Sequence, residues 1–300
     1  MTKFVEKSKA MLFFEAVGLE KISWSLRRFH VPIPSSALVL EVGSGGNPYA
    51  RSNVLLDAYI ETRERHYEPL VSDRKTVLGF GENLPFKNKS FDFVIASHVL
   101  EHSGDPEKFL SELERVAKAG YIEVPDAFFE RLNPYIDHRL EITRDKNKLV
   151  IKKKERSVPD LELSKLYEAR VKPLIANGLI PKFPFRFHIR YYWKDKINYE
   201  ITNPEVDAKW VSTEEYIKSD LRPSLATRFK GFMLKIARAY FSQKRRNMKI
   251  DLSTLLHCSN CQHPNLRKLT QGYSCDNCDS RYEERNGIVI CNPENKPGSI

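Results

Sequence analysis

The sequence predicts an α/β fold: a doubly wound, mostly parallel sheet followed by a small cysteine-rich ribbon at the C-terminus. Three observations predict it. Short apolar runs alternate with helical stretches between residues 37 and 125. The first of those runs enters a glycine turn, Gly43-Ser44-Gly45-Gly46. All five cysteines lie between Cys258 and Cys291, four of them in two C-x2-C pairs.

The chain of 300 residues is long enough for two domains. Hydrophobic residues at 41% and charged residues at 29% match soluble globular averages. That excludes collagen-like, disordered and multi-span membrane classes. Apolar runs such as Ser36–Val42 fall far short of the roughly 18–20 residues that a membrane span needs. The N-terminal apolar stretch Ala10–Leu19 is interrupted by Glu15 and followed by no small-residue cleavage site, so no signal peptide is expected. The expected compartment is the cytoplasm. A net charge of +10 permits an acidic partner without choosing one.

Four stretches divide the chain: a helical entry at 1–36, a core at 37–156, a helical and aromatic extension at 157–250, and the ribbon at 251–300. In the entry, Phe4, Met11, Phe14, Ile22, Leu26 and Phe29 recur at helical spacing until Pro32 and Pro34. Strands are expected at Leu38–Val42, at Asn53–Leu56 ending on Asp57, at Thr76–Phe80, at Phe91–Ala96 and at Tyr121–Val124. Pro106–Lys118 reads as an amphipathic helix with Phe109, Leu110, Leu113 and Val116 on one side. Continuous apolar strands separated by helices imply a parallel sheet covered on both faces. Leu140–Arg144 and Leu149–Lys153 flank a polar turn and predict a hairpin, added antiparallel at the sheet edge. Residues 160–177 read as helical, 183–202 as aromatic and β-prone.

The turn carries the chemistry. In Leu38-Val-Leu-Glu41-Val-Gly43-Ser44-Gly45-Gly46-Asn-Pro48 a strand runs into glycines that let a ligand approach the backbone. Asp57, sixteen residues after Glu41, ends the next strand, where a carboxylate can take both hydroxyls of a ribose. A dinucleotide fingerprint needs a third small residue where Pro48 stands, so that rival is disfavoured. A glycine turn of purely structural use is the plain alternative.

Further on come Gly81-Glu-Asn-Leu-Pro85-Phe86 and Ser90-Phe91-Asp92-Phe-Val-Ile-Ala-Ser97-His98-Val-Leu-Glu101-His102. With these segments, residues 37–125 resemble the class I S-adenosylmethionine-dependent methyltransferases, especially the quinone-biosynthesis branch. The resemblance covers about a third of the chain. It implies a Rossmann-like sheet whose last strand is antiparallel, a position that the hairpin would fill. It implies that Glu41, Gly43, Ser44 and Gly45 line the methionine and ribose part of the cofactor, and that Asp57 holds the ribose. Ser97 and His98 would border the sulfonium and the methyl acceptor. The acidic residue that the family often has at the end of strand three is replaced by Phe80, leaving adenine to stacking and to backbone groups near Gly81 and Glu82. Methyl transfer from a sulfonium is chiefly a matter of positioning, and a general base is needed only if the nucleophile must lose a proton. His98 and His102 are the candidates, with a capping or packing role as the alternative for His102. Asp126 and His138 lie just past strand five, where acceptor pockets form, although loop roles suit them.

Cys258-x2-Cys261 and Cys275-x2-Cys278 can place four thiolates around one structural zinc, leaving no open position for catalysis. His257 and His263 lie nearby as non-ligands, and Cys291 reads as a buried strand thiol. The segment from Cys275 through Arg281-Tyr282 to Asn286-Gly287-Ile288 resembles zinc-ribbon methyltransferase activators, here fused in cis, so no separate activator is expected.

Between Arg222 and Lys249 stand nine basic residues and no acidic one. A helix packed on the core is the preferred reading, because a helix between two folded domains needs something to rest on. An anionic partner, either a lipid surface or RNA, is the alternative, and would bring the protein to a membrane periphery in the first case. The expected function is thus methyl transfer to an acceptor the sequence does not name. The alternative is a non-catalytic methyltransferase-fold scaffold that uses the ribbon and the basic helix for binding.

Overall fold

Helices α1 (Lys9–Ala16) and α2 (Glu20–Leu26) form the entry. Ser8 caps α1 by accepting from the Met11 amide at 3.3 Å. Strands β1 (Val39–Val42) and β2 (Val54–Asp57) are buried at every residue, Glu41 and Asp57 included. β3 (Lys75–Leu78), β4 (Phe93–Ser97) and β5 (Ala119–Pro125) are buried almost throughout. Burial at consecutive rather than alternate positions marks strands covered on both faces. Helix α3 (Pro106–Val116) precedes β5, and its Phe109, Leu110, Leu113 and Val116 are all buried. The computed structural model describes residues 4–65, 67–156, 162, 166–210 and 225–291.

After β5 come α4 (Ala127–Leu132), capped by Asp126, and the hairpin β6 (Leu140–Asp145) and β7 (Lys148–Lys153). Helical turns run through 167–182, then β8 (His188–Lys194) and β9 (Tyr199–Ile201) follow. α5 (Leu225–Phe241) and α6 (Lys244–Met248) make up the basic segment. The ribbon contributes β10 (Leu266–Leu269), β11 (Gly272–Cys275), β12 (Arg281–Tyr282), β13 (Glu284–Arg285) and β14 (Ile288–Ile290).

The central sheet has the order β13-β14-β3-β2-β1-β4-β5-β8. β1, β2 and β3 pair in parallel, and β8 runs antiparallel to β5. This is the doubly wound, mostly parallel arrangement that the sequence predicts. The antiparallel edge strand beside β5, however, is β8 rather than the hairpin. β6 and β7 pair with each other and with β9 in a separate three-stranded sheet. The edge position goes to β8 because its aromatic side pairs residue for residue with β5. Trp193 lies opposite Gly120, and a Cβ at Gly120 would sit 2.6 Å from the indole.

Two compact units make up the chain. One comprises Met1–Pro34, Ala96–Phe109 and Ala119–Glu214; the other comprises Ser35–Ile95, Leu110–Lys118 and Glu215–Ile300. In the second unit the ribbon does more than bind its own strands. Asn286 and Gly287, with φ of 51° and 77°, close the two-residue turn between β13 and β14. That hairpin lays β14 parallel to β3, Ile288 opposite Thr76 and Ile290 opposite Leu78. Cys291, just past β14, is buried as expected, and its amide donates to Leu78 O at 2.9 Å.

The basic segment differs from the packed helix expected of it. In α5, Phe232, Met233, Ile236, Tyr240 and Phe241 are exposed, Tyr240 at 82%. The anchors found are polar: in α5 Arg238 Nε meets Asp73 Oδ2 at 3.5 Å, and in α6 the Arg246 guanidinium donates to Ser35 O and Ala37 O and buried Asn247 meets Asn53 at 2.7 Å. Arg222 lies outside the described residues.

Candidate functional site

In the second unit, β1 leads into Gly43 and Gly45, whose φ values of 69° and 54° disfavour any side chain. The Gly43 and Ser44 amides both donate to Leu56 O, at 2.9 and 3.1 Å, and so strap the turn to β2. The Gly45 amide donates to Asp57 Oδ2 at 2.8 Å. A Cβ on Gly46 would lie 3.0 Å from Glu68 Oε2 and 3.2 Å from Pro69 O. Glu41, fully buried, holds the far end of the loop: its Oε2 accepts from the Tyr49 amide at 2.9 Å and from Ser52 Oγ at 2.5 Å. Ser44 is buried, and its Oγ makes no hydrogen bond among the described residues.

Asp57 is buried and heavily engaged. Its Oδ1 accepts from the Tyr59 amide at 3.3 Å and from Arg65 Nη1 at 3.0 Å. Arg65 is held in place by Glu68 O at 2.8 Å and Ile60 O at 2.6 Å. A ribose reaching Asp57 would therefore compete with a guanidinium. β3 ends at Leu78, two residues earlier than the sequence suggests, so Phe80 stands in the turn that carries Gly81 and Glu82. The Phe80 ring packs edge-on against Tyr59 at 5.8 Å, both half-buried. These two rings follow the ends of β2 and β3, Tyr59 after β2 and Phe80 after β3.

In the first unit the residues at the end of β4 are drawn into a buried ionic network. Ser97 Oγ donates to Glu123 Oε1 at 3.0 Å. His98 has a φ of 56°, an uncommon conformation for a residue other than glycine, and its amide donates to Glu123 O at 2.7 Å. Its Nδ1 faces Glu101 Oε1 at 3.4 Å and its Nε2 faces Glu123 Oε1 at 3.3 Å. Burial alone would lower its pKa, but the two carboxylates outweigh burial and raise it to about 9. An imidazole protonated at neutral pH donates rather than accepts, so the general-base role expected of His98 does not follow from this geometry. Glu123 opposes burial with the Arg27 guanidinium and with His98, which hold its carboxyl well below the usual range. Neither Arg27 nor Glu123 was singled out from the sequence; a lone glutamate inside an apolar strand was the available signal.

His102 is of a different kind. Burial, reinforced by the neighbouring His138, pushes its pKa down to about 3, so it is neutral. Glu101, His102 and His138 each present a possible metal-ligating atom, all within 4.8 Å of one another. His138 Nδ1 meets Glu130 Oε2 at 2.5 Å. Asp126 caps α4, accepting from the Phe128 amide at 2.9 Å, which is the loop role the sequence allows.

The four cysteines meet in the second unit. Cys258 and Cys278 sulfurs are 3.5 Å apart, and those of Cys261 and Cys275 are 3.6 Å apart. All four lie within 4.8 Å of one another. Zinc–sulfur bonds of about 2.3 Å in a tetrahedron put sulfurs about 3.8 Å apart, so the cage is of the right size. Each knuckle turns through a positive φ, at Gln262 and Asp279, and points amides at sulfur: Cys261 N to Cys258 Sγ and Asn277 N to Cys275 Sγ, both at 3.4 Å. Tyr282 OH lies 3.0 Å from Cys258 Sγ. His257 Nε2 pairs with Leu84 O at 3.0 Å, and the ligand atoms that close on one another are the four cysteine sulfurs, without His257 or His263.

Residues 40–122 match the model of the methyltransferase-domain family. An uncharacterized protein of Methanocaldococcus jannaschii is 33% identical over 84 residues, 27% of this chain and 40% of that protein. The sarcosine/dimethylglycine N-methyltransferase of Aphanothece halophytica is 31% identical over 100 residues, 29% of this chain and 36% of the enzyme. The chain thus spans less than half the length of these relatives. Among solved structures, the complex of a Haloferax volcanii methyltransferase with the Trm112 methyltransferase activator is similar at a TM-score of 0.35 and 14% identity, covering 62% of this chain and 94% of that one. The family match thus falls on the part of the chain that holds β1 to β5 of the doubly wound, mostly parallel, Rossmann-like sheet. Among the described residues no helix is long and apolar enough to cross a membrane.

Proposed function

We propose that the protein is an S-adenosylmethionine-dependent methyltransferase. The observation that carries the reading is the turn between β1 and β2: two glycines at positive φ, strapped to Leu56, with the Gly45 amide on the Asp57 carboxylate. The residues fit the cofactor. Ser44 Oγ is a buried polar atom awaiting a partner, and the glycines keep the turn free of side chains. Asp57 would hold the ribose, Tyr59 and Phe80 would flank the base, and the turn's backbone would face the methionine part. Bound S-adenosylmethionine supplies an activated methyl group with its own leaving group, so the protein's share is positioning. His98, held as a cation, suits an acceptor whose nucleophile needs no proton removed by that imidazole. Calorimetric titration with S-adenosylmethionine and S-adenosylhomocysteine tests the reading.

A second reading is favoured by Arg65. Because its guanidinium already meets Asp57, the fold would also serve as a binding module that uses no cofactor. Absence of binding for both ligands, in a folded protein, supports that reading.

The cysteine cage we assign to one structural zinc, its four thiolates closing the coordination sphere. Fusion of this ribbon with the methyltransferase domain, through pairing of β14 with β3, supports an activator-like role in cis. For the basic segment we propose an anionic lipid surface: the aliphatic Met233 and Ile236 are exposed beside exposed Lys235, Lys244 and Arg245 and would insert among acyl chains, whereas the exposed aromatics Phe232, Tyr240 and Phe241 suit either acyl chains or the bases of RNA.

A further inference from the structure

The cluster around His138 has the parts of a second metal centre, of a chemistry unlike the cysteine cage. Glu101, His102 and His138 bring one carboxylate and two imidazoles to a common point, their ligand atoms within 4.8 Å of one another. Three features point to a ligand there. Glu101 is 2% exposed, and its Oε2 accepts no hydrogen bond among the described residues; only Oε1 has a charged neighbour, His98 Nδ1 at 3.4 Å. His98 offsets the charge from the Oε1 side, and the buried Oε2, without a hydrogen bond, is the lone pair open to a cation. His138 is braced from behind. Its Nδ1 meets Glu130 Oε2 at 2.5 Å, which fixes the tautomer and leaves Nε2 to a cation. Glu130 is itself fixed by Lys154 Nζ at 2.5 Å and by the Tyr135 amide at 3.2 Å. Finally, Arg139 clamps the backbone of the other two residues, its amide on Glu101 O at 2.7 Å and its Nη1 on His102 O at 3.0 Å.

We propose that Glu101, His102 and His138 bind a divalent first-row transition-metal ion, with Glu130 orienting His138. Two imidazoles and one carboxylate suit zinc, cobalt, iron or manganese rather than calcium, and three protein ligands leave coordination positions open. The cysteine cage leaves none. The open positions would accept an oxygen- or nitrogen-bearing ligand. This inference does not depend on the methyltransferase reading, because the ion is detected by itself.

The test is metal stoichiometry on the full chain, stripped with chelator and reloaded with Zn2+ or Co2+ alone. The intact protein takes up two equivalents of Zn2+. His138→Phe, which keeps a ring against Tyr135 at the 4.7 Å packing distance, takes up one, as does Glu101→Gln. The double substitution Cys258→Ser with Cys261→Ser also takes up one, and its Co2+ form lacks the thiolate charge-transfer band that His138→Phe retains. Uptake that His138→Phe and Glu101→Gln leave unchanged from the intact protein overturns the proposal. If the ribbon alone fails to hold zinc, the intact protein takes up one equivalent that His138→Phe abolishes, which separates failure of the cysteine assignment from failure of this one.

Discussion

Arg27 Nε and Nη2 meet the two carboxylate oxygens of Glu123 at 2.8 Å each, with side chains only 7% and 0% exposed. The pair ties the α2 segment to β5, and Tyr121 OH, Ser97 Oγ and His98 close around the same carboxylate. Removing one partner leaves a buried charge without compensation. Glu123→Gln or Arg27→Met should each cost about 3–5 kcal/mol in denaturant unfolding. Both replacements together should cost clearly less than the sum of the two, because they share one interaction.

The same network sets a pH dependence. His98 has a folded-state pKa of about 9, above its ordinary 6.5. Its contribution to stability is complete below about pH 6.5 and is lost as the pH rises through about 9. The Glu101 and Glu123 carboxyls are lowered instead, so their contribution is present above about pH 4.5 and fades as the pH falls further. Melting temperatures should therefore decline between pH 6.5 and 9. His98→Asn, a residue that tolerates positive φ, should flatten that decline. A slope unchanged in the variant would show that another group titrates.

Asp57 and Arg65 compete with the cofactor in opposite senses. Asp57→Asn keeps an acceptor for the Gly45 amide but weakens the grip on a ribose, so S-adenosylhomocysteine affinity should fall by about tenfold or more, roughly 1.5 kcal/mol. Arg65→Ala removes the guanidinium that meets Asp57 Oδ1 and should tighten binding several-fold. Titration calorimetry on both variants reads the difference. Weaker binding in Arg65→Ala would mean that the arginine contacts the ligand itself.

The basic segment gives a prediction on association. Vesicles containing phosphatidylserine should bind the protein, less tightly as salt is added. Phe232→Ser with Ile236→Ser should release them without lowering the melting temperature, since these side chains are 59% and 48% exposed. Reversal of Lys235, Lys244 and Arg245 to glutamate should do the same; Arg246 is unsuitable because it anchors α6 to the Ser35 and Ala37 carbonyls. Binding to RNA but not to vesicles would reassign the surface.

What could be read in the sequence was local. The glycine turn, Asp57 and the cysteine knuckles each announce themselves within a few residues, because their chemistry is set by spacing along the chain. The strands β1 to β5 were legible for the same reason: uninterrupted apolar runs permit few other structures. What was hidden depends on pairing across long separations. Glu123 finds Arg27 at a distance of 96 residues in sequence, and β14 finds β3 across some two hundred. β8 takes the antiparallel edge from the hairpin because Trp193 fits over Gly120, a match visible only once both strands are in register. His98 looked like a base from its place after β4. Its two carboxylate neighbours, one of them in a different strand, make it an acid instead.

We propose that the turn from Glu41 to Gly46, with Asp57, holds S-adenosylmethionine. Titration calorimetry of the intact protein with S-adenosylhomocysteine tests it most directly. Saturable binding at one site per chain is expected, weakened by Asp57→Asn and unaffected by replacement of the exposed residues of α5. No heat of binding for S-adenosylhomocysteine or S-adenosylmethionine, from protein whose melting curve shows it folded, would contradict it.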